Sequence, residues 1–333
     1  MTALSQLVWT SQIPLAMPVA TFPGVALTGT TVRDLVQDAG KQSLTQLAFH
    51  RRFGTNVLMS CMDLSVEAEA FGAAVTFSDT EVPTVTGRFV SDEAGASSLR
   101  IPSIGKGRTQ VYLDAVGRLV GMGKGVPVLA GMIGPFSLAG RLYGVSETLL
   151  ATAAAPETIG GLLEKVTGFL LSYAAAFKSA GASGVIIAEP TAGLLSPRGM
   201  AAYSSPYVKR IIEGVEGDGF EVILHNCAAK TIHLEAVAAS GAHIVHFGAP
   251  MDIPAALANL PRGMIVCGNL DPAGVFVQST PAAIAQLTRN LIASTEGYGN
   301  FVISSGCDIP AATPLENLDA FFHEVSATKP RLK

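Results

Sequence analysis

Residues 183–189 read SGVIIAE and residues 221–227 read EVILHNC, two short apolar runs without alternation that end abruptly on polar side chains. A sheet wetted on one face alternates apolar with polar residues, whereas a parallel strand covered on both faces does not. These runs therefore read as buried parallel strands with Glu189, His225 and Cys227 at their C-terminal ends. The same pattern recurs in GMIVCGNLD (263–271) and FVISSGCD (301–308), where Asn269, Asp271, Cys307 and Asp308 follow the apolar run.

Working outward, strand candidates fall at residues 15–20, 56–61, 126–131, 184–189, 221–226, 243–247, 264–268 and 301–304, with Ala/Leu-rich helical stretches between them. The segments 281–294 and 314–325 open on proline after Thr280 and Thr313, which suit N-caps. An open doubly wound sheet shares this alternation, but eight strand–helix units favour an α/β fold of the (β/α)8 TIM-barrel type, entered by an N-terminal extension. Residues 79–110 break the rhythm: PTVTGRFV followed by SSLRIPS reads as a β-hairpin inserted into a single domain covering residues 1–333.

Composition narrows the function classes. The 333 residues are 49% hydrophobic, enough for a large core. The most apolar region, residues 126–140, is interrupted by Pro127, Gly131, Gly134 and Pro135, so no membrane span of about 18 uninterrupted apolar residues is expected. A formal charge of −4 without a Lys/Arg block removes the electrostatic footprint of a nucleic-acid binder. The N-terminus lacks a basic region and cleavage site, which predicts a cytoplasmic chain whose four cysteines stay reduced and available to a metal.

In such a barrel the active site lies at the C-terminal ends of the strands. Sorted by that rule, the mouth collects Asp63, Glu189, His225, Cys227, His246, Asn269, Asp271, Cys307 and Asp308. The spacing of His225 and Cys227 puts both side chains on one side of an extended segment. One imidazole and two thiolates suit tetrahedral Zn²⁺ and leave a fourth position open. Cys267 competes with Cys307 as third ligand on position alone, although a buried core role fits it better. Glu189, directly after an apolar strand, requires a polar cavity or a partner such as His225. Asp63, Glu67 and Glu69 read as a rim helix with solvated carboxylates, Asp63 nearest the pocket. Arg198 and Tyr207 are placed to meet an anionic substrate tail.

The segments VATFPG (19–24), MDLSVEAEAFGA (62–73), GPFSLAG (134–140), EPTAGLLSPRGMAAYSSPYVKRI (189–211), LHNCA (224–228), GNLDP (268–272) and SGCDIPAATPLENLDAF (305–321) together resemble the uroporphyrinogen decarboxylase superfamily. Within it the chain is similar to the zinc-dependent methylcobamide:coenzyme M methyltransferase branch. The arginine-rich N-terminal motif of the decarboxylases is absent, and Arg141 stands where they carry a tyrosine. The resemblance implies that His225, Cys227 and Cys307 bind zinc and that Asp63 turns to the catalytic pocket; Glu189, from its place after an apolar strand, is the other catalytic candidate, and Asn269 and Asp271 are the cofactor-facing candidates. It implies transfer of a methyl group from a methylated corrinoid, carried by a separate corrinoid protein, to a small-molecule thiol such as coenzyme M. No D-x-H-x-x-G cobalamin motif occurs in the chain. Two departures concern the site: Ala228 and Asp308 replace the glycines that usually follow the two cysteines. The fourth zinc position is left to His246, Glu189, Asp308 or water. Two alternatives stay open: methyl transfer in the reverse direction, from a methyl donor to a corrinoid protein, and a zinc-free barrel that binds a tetrapyrrole.

Overall fold

The computed structural model describes residues 3–328. Eight parallel strands form one curled sheet: β1 Leu15–Ala16, β2 Leu58–Met59, β5 Val128–Ile133, β6 Gly184–Ala188, β7 Glu221–Asn226, β8 Ile244–Phe247, β9 Ile265–Leu270 and β10 Phe301–Ser305. A separate antiparallel ribbon pairs β3 Ala74–Thr76 with β4 Thr84–Thr86. The sheet order is β1-β10-β9-β8-β7-β6-β5-β2, so each strand lies beside its sequence neighbour within the sheet, as in a TIM barrel. At the seam between β1 and β2 a side chain reaches across, Asn56 Nδ2 donating to the Ala16 carbonyl at 3.2 Å.

Strand pleating sorts the apolar runs into two cores. Met59, Leu129, Ile186, Ile223, Ile244, Ile265 and Val302 point inward and fill the barrel, with Cys267 fully buried among them. Alternate residues such as Val185, Leu224 and Val266 pack outward against the helices. Both faces are therefore apolar, which is why the runs show no alternation. The N-terminal extension is a helix, Ala3–Thr10, that adds Leu4 and Val8 to the barrel interior. Ser5 fastens it through its backbone N–H and hydroxyl to Glu221 at the start of β7.

The ribbon forms with a different partner from the one the sequence suggests. Thr84–Thr86 pairs back to Ala74–Thr76, upstream of residue 79, and SSLRIPS is not a strand. Asp92 caps a helix, Glu93–Ser98, by accepting from Gly95 N at 2.7 Å, which takes the two serines into helix. Pro102 then lacks the N–H a ladder needs. Likewise Thr280 caps Pro281–Ser294, accepting from Ala283 N, whereas the last helix begins at Leu315 and the Thr313 hydroxyl caps nothing.

The expected solvated rim helix is also corrected. Residues Val66–Phe71 are helical, but Glu67 is 1% exposed. Its Oε1 accepts from Ile133 N at 3.1 Å while Oε2 has no partner. Burial pushes the Glu67 carboxyl from 4.5 up to about 8. Because its folded pKa lies above the unfolded one, the stability it contributes is complete below about 4.5 and is lost as the pH rises through about 8. Glu67→Gln is accordingly expected to remove a fall in urea-denaturation stability of about a few kcal/mol between those pH values; an unchanged pH profile would refute this.

Candidate active site

Register places the site. In parallel pairing, His225 on β7 lies opposite His246 on β8, His246 opposite Cys267 on β9, and Asn269 opposite Ser304 on β10. His225 and His246 therefore stand side by side above the apolar barrel core, and Ser304, two residues further along β10 than the register partner of Cys267, meets the His246 ring through a hydrogen bond. Two residues past His225 the chain leaves β7 with Cys227, and two past the end of β10 it turns through Gly306 to Cys307. The ligand atoms of His225, Cys227 and Cys307 lie within 4.8 Å of one another, and among the described residues this is the only such His/Cys/Asp/Glu group found.

Each ligand loop passes the loop after β8 closely enough to require glycine. A Cβ on Gly248 would lie 2.1 Å from the Cys227 carbonyl oxygen, and one on Gly306 would lie 2.7 Å from Ala249 N. Both obstacles are backbone, so neither can swing aside. Gly248→Ala is expected to displace the Cys227 segment and lower bound zinc well below one per chain; a fully metallated variant would show that the loop tolerates the shift.

The electrostatics of the triad follow from its hydrogen bonds. A hydrogen bond from Cys307 lowers the Cys227 thiol below its ordinary value. The same contact, with burial, pushes Cys307 up to about 12. The two thiols thus differ in acidity although they lie within 4.8 Å of each other, and both must be deprotonated to hold a cation. His225 Nδ1 lies 2.7 Å from His246 Nδ1, which leaves His225 Nε2 as the ring atom for the thiol side. His246 is fully buried, and burial holds its pKa well below the ordinary histidine value.

The remaining mouth residues are engaged elsewhere. Glu189 is fully buried but turned away from His225: Oε1 accepts from Phe136 N and Oε2 from Ser137 N and Ser137 Oγ, at 2.7–2.9 Å. It sits on the N-terminus of the helix Pro135–Tyr143, where N–H groups and dipole favour a carboxylate. Burial still raises it to about 7. Asp63 is paired with Arg108 and accepts from Ser65 and Tyr112. Asn269 Nδ2 donates to the Gly248 and Met251 carbonyls, at 2.9 and 2.6 Å, bracing the loop after β8. Asp271 is exposed and accepts from Ala273 and Gly274 N–H groups, capping the turn that follows β9. His246 has both ring nitrogens occupied. Asp308 accepts from Thr21 N at 2.9 Å and Thr21 Oγ1 at 2.5 Å, and burial pushes it up to about 8. Arg198 is exposed on Pro197–Tyr203 and Tyr207 is half-buried on Ser205–Val215.

Two contributors escaped the sequence reading. Thr21, in VATFPG, clasps the carboxylate that follows Cys307. Ser304 on β10 meets His246 of β8 across the intervening β9. Their only signal is register, since each stands at a strand end or in a loop whose partner is far away in the chain.

Fold and site together define a (β/α)8-barrel protein with a Cys2His donor set at the C-terminal mouth. The uroporphyrinogen decarboxylase (URO-D) family model matches residues 13–328, and the chain belongs to that family. It is 28% identical over 316 residues to the methylcobamide:CoM methyltransferase MtbA of Methanosarcina acetivorans, covering 90% of this chain and 91% of the relative. It is 26% identical over 290 residues to the uroporphyrinogen decarboxylase of Psychromonas ingrahamii, covering 83% and 80%. Among solved structures, a methyltransferase from Methanosarcina mazei superposes with a TM-score of 0.86 at 21% identity, covering 97% of each chain, which supports the fold. Among the described residues no helix is long and apolar enough to cross a membrane.

Proposed function

We propose that the protein is a zinc-containing methyltransferase that moves a methyl group from a methylated corrinoid, presented by a corrinoid protein, to a small thiol such as coenzyme M. The observation that carries this reading is the convergence of His225, Cys227 and Cys307 at the mouth. Relatives of both chemistries match the chain, so similarity alone does not choose between them. A porphyrinogen decarboxylase has no use for two thiols and an imidazole on one small volume, whereas thiol alkylation does.

The donor set fits zinc on its own chemistry: two sulfurs and one imidazole nitrogen are borderline-soft ligands, and three of them leave a fourth position for substrate. A zinc ion held by His225, Cys227 and Cys307 would stabilise an acceptor thiol as its thiolate near neutral pH, against an ordinary value of about 8.5. The chain itself supplies placement. Cys227 is fixed by β7 and by the close passage of Gly248. Cys307 is fixed by the clasp of Asp308 on Thr21, a role open to this chain because Asp308 stands beside the cysteine. The apolar barrel core beneath keeps water from that side. In the transfer the acceptor sulfur forms a bond to the methyl carbon as the carbon–cobalt bond breaks, and that electron pair stays on cobalt.

The test combines zinc content of purified protein with a spectral assay of methylcobalamin and coenzyme M. About one zinc per chain and thiol-dependent loss of the methylcobalamin spectrum are expected. Zinc without that activity would overturn the proposed acceptor or direction, and absence of zinc from protein prepared with the metal supplied would overturn the mechanism.

A further inference from the structure

Behind the donor set runs a buried hydrogen-bonded chain that no contact with substrate would explain. Ser304 Oγ donates to the Met17 carbonyl at 2.7 Å. His246 Nε2 lies 2.7 Å from Ser304 Oγ, and His246 Nδ1 lies 2.7 Å from His225 Nδ1. His246 and Ser304 are both 0% exposed, and His225 is 3% exposed. Among the described residues, no carboxylate is a hydrogen-bond partner of either histidine.

The chain has a direction because its last member can only accept. A carbonyl oxygen carries no hydrogen, so the single Ser304 hydroxyl hydrogen goes to Met17. Ser304 Oγ then has only lone pairs to offer His246, so His246 carries its hydrogen on Nε2. A neutral imidazole has one such hydrogen, which leaves His246 Nδ1 as an acceptor. A second hydrogen there would bury a cation without a counter-charge. His225 must therefore donate from Nδ1, and its Nε2 lone pair is bare on the side of Cys227 and Cys307.

We infer that His246 and Ser304 are positioning residues: they select the Nδ1–H tautomer of His225, fix its ring, and so present a ready Nε2 ligand to the metal. The inference rests on the zinc reading above. Ligating histidines in general give their other N–H to a carboxylate, carbonyl or water, and that bond fixes tautomer and basicity. Here a second histidine takes that place. Its rings sit edge to face with His225 at 69° and 4.6 Å between centroids, held by a serine whose own anchor is the loop end of β1. The relay thus ties the donor set to three strands of the barrel, β7, β8 and β10.

Two readouts separate the relay from its purpose. Nitrogen-15 NMR of the metal-free, histidine-labelled protein, with His225 assigned by loss of its signals in His225→Gln, is expected to show Nδ1 protonated and Nε2 bare. Signals of the Nε2–H tautomer would overturn the relay. Zinc affinity, measured by competition with a chromophoric chelator, is expected to fall about 10–100-fold in His246→Leu and by less in Ser304→Ala. His246→Gln, which keeps an acceptor and a donor, is expected to recover part of the loss. Wild-type affinity in His246→Leu would overturn the positioning role. Loss of wild-type zinc binding with the Nδ1–H tautomer intact would instead sink the metal reading on which the role rests.

Discussion

Cys307→Ser is expected to lose its zinc and to slow thiol-dependent demethylation of methylcobalamin by about a thousand-fold or more. Serine preserves the shape of the side chain but not a ligand that ionises near neutral pH, so the donor set drops to His225 and Cys227. A metal that stabilises developing charge contributes several kcal/mol, and each 1.36 kcal/mol is tenfold in rate, which gives about that factor. Cys227→Ser should behave alike, because its sulfur completes the same cluster. Cys267→Ala is the comparison that makes the result specific. That thiol is also on a mouth-directed strand and is 0% exposed, but it lies in the apolar filling of the barrel, where burial raises its pKa further. Its replacement should cost stability and spare the metal. Zinc near one per chain in Cys307→Ser, measured by inductively coupled plasma mass spectrometry alongside retained activity, would remove Cys307 from the site. Loss in Cys267→Ala with retention in Cys307→Ser would exchange their roles.

Much of this was legible in the sequence because strand burial leaves a mark on composition. A strand packed on both faces carries few polar residues in its middle, so VIL and GVIIA announce themselves, and the polar residues that follow fall toward an end. That logic located His225, Cys227 and Cys307 without knowledge of register. It could not assign partners. Glu189 reads as a pocket carboxylate from its position after an apolar run, yet its neighbours Phe136 and Ser137 belong to a helix that starts beside β5. Only the three-dimensional order of strands brings that helix N-terminus to Glu189. His246 presents the same difficulty: sequence puts it at a strand end like His225, and only the pairing of β7 with β8 shows the two rings in contact. The ribbon failed for a local reason, since a capping aspartate at 92 outcompetes the β-propensity around SSLRIPS. The acidic segment 63–69 looked solvated because no sequence pattern announces that Arg108, near the C-terminal end of the insertion, returns to pair with it.

That returning arginine carries the second large effect. Arg108→Leu is expected to destabilise the protein by about 3–5 kcal/mol, because it strands a buried carboxylate rather than removing a pair. Arg108 is 6% exposed and meets Asp63, Glu69 and Ser65 with separate nitrogens, at 2.6 Å for Glu69 and 2.7 Å for Ser65. Its guanidinium also lies 4.8 Å from the centre of the Phe77 ring. Asp63 keeps Ser65 and Tyr112 in the variant, but these are neutral donors and cannot balance its charge. With about 2.1 cal/mol/K of unfolding entropy per residue, the loss corresponds to a Tm lower by about 4–7 °C in calorimetry. Asp63→Asn combined with Arg108→Leu should recover most of it, since removing both charges leaves neither buried alone. A double variant no better than the single one would mean that packing of the guanidinium stem, not charge, sets the cost. The pair also has a path to the site. Met62, the residue before Asp63, donates its N–H to Thr21 Oγ1 at 3.0 Å, and Thr21 in turn holds Asp308 beside Cys307. Loosening Asp63 therefore loosens the brace on the third metal donor, and Arg108→Leu should release zinc to a chelator faster than a core variant chosen, from substitutions at buried positions such as Phe177, to have the same measured stability. Equal release rates would confine Arg108 to the fold and leave the Thr21 clasp independent of it.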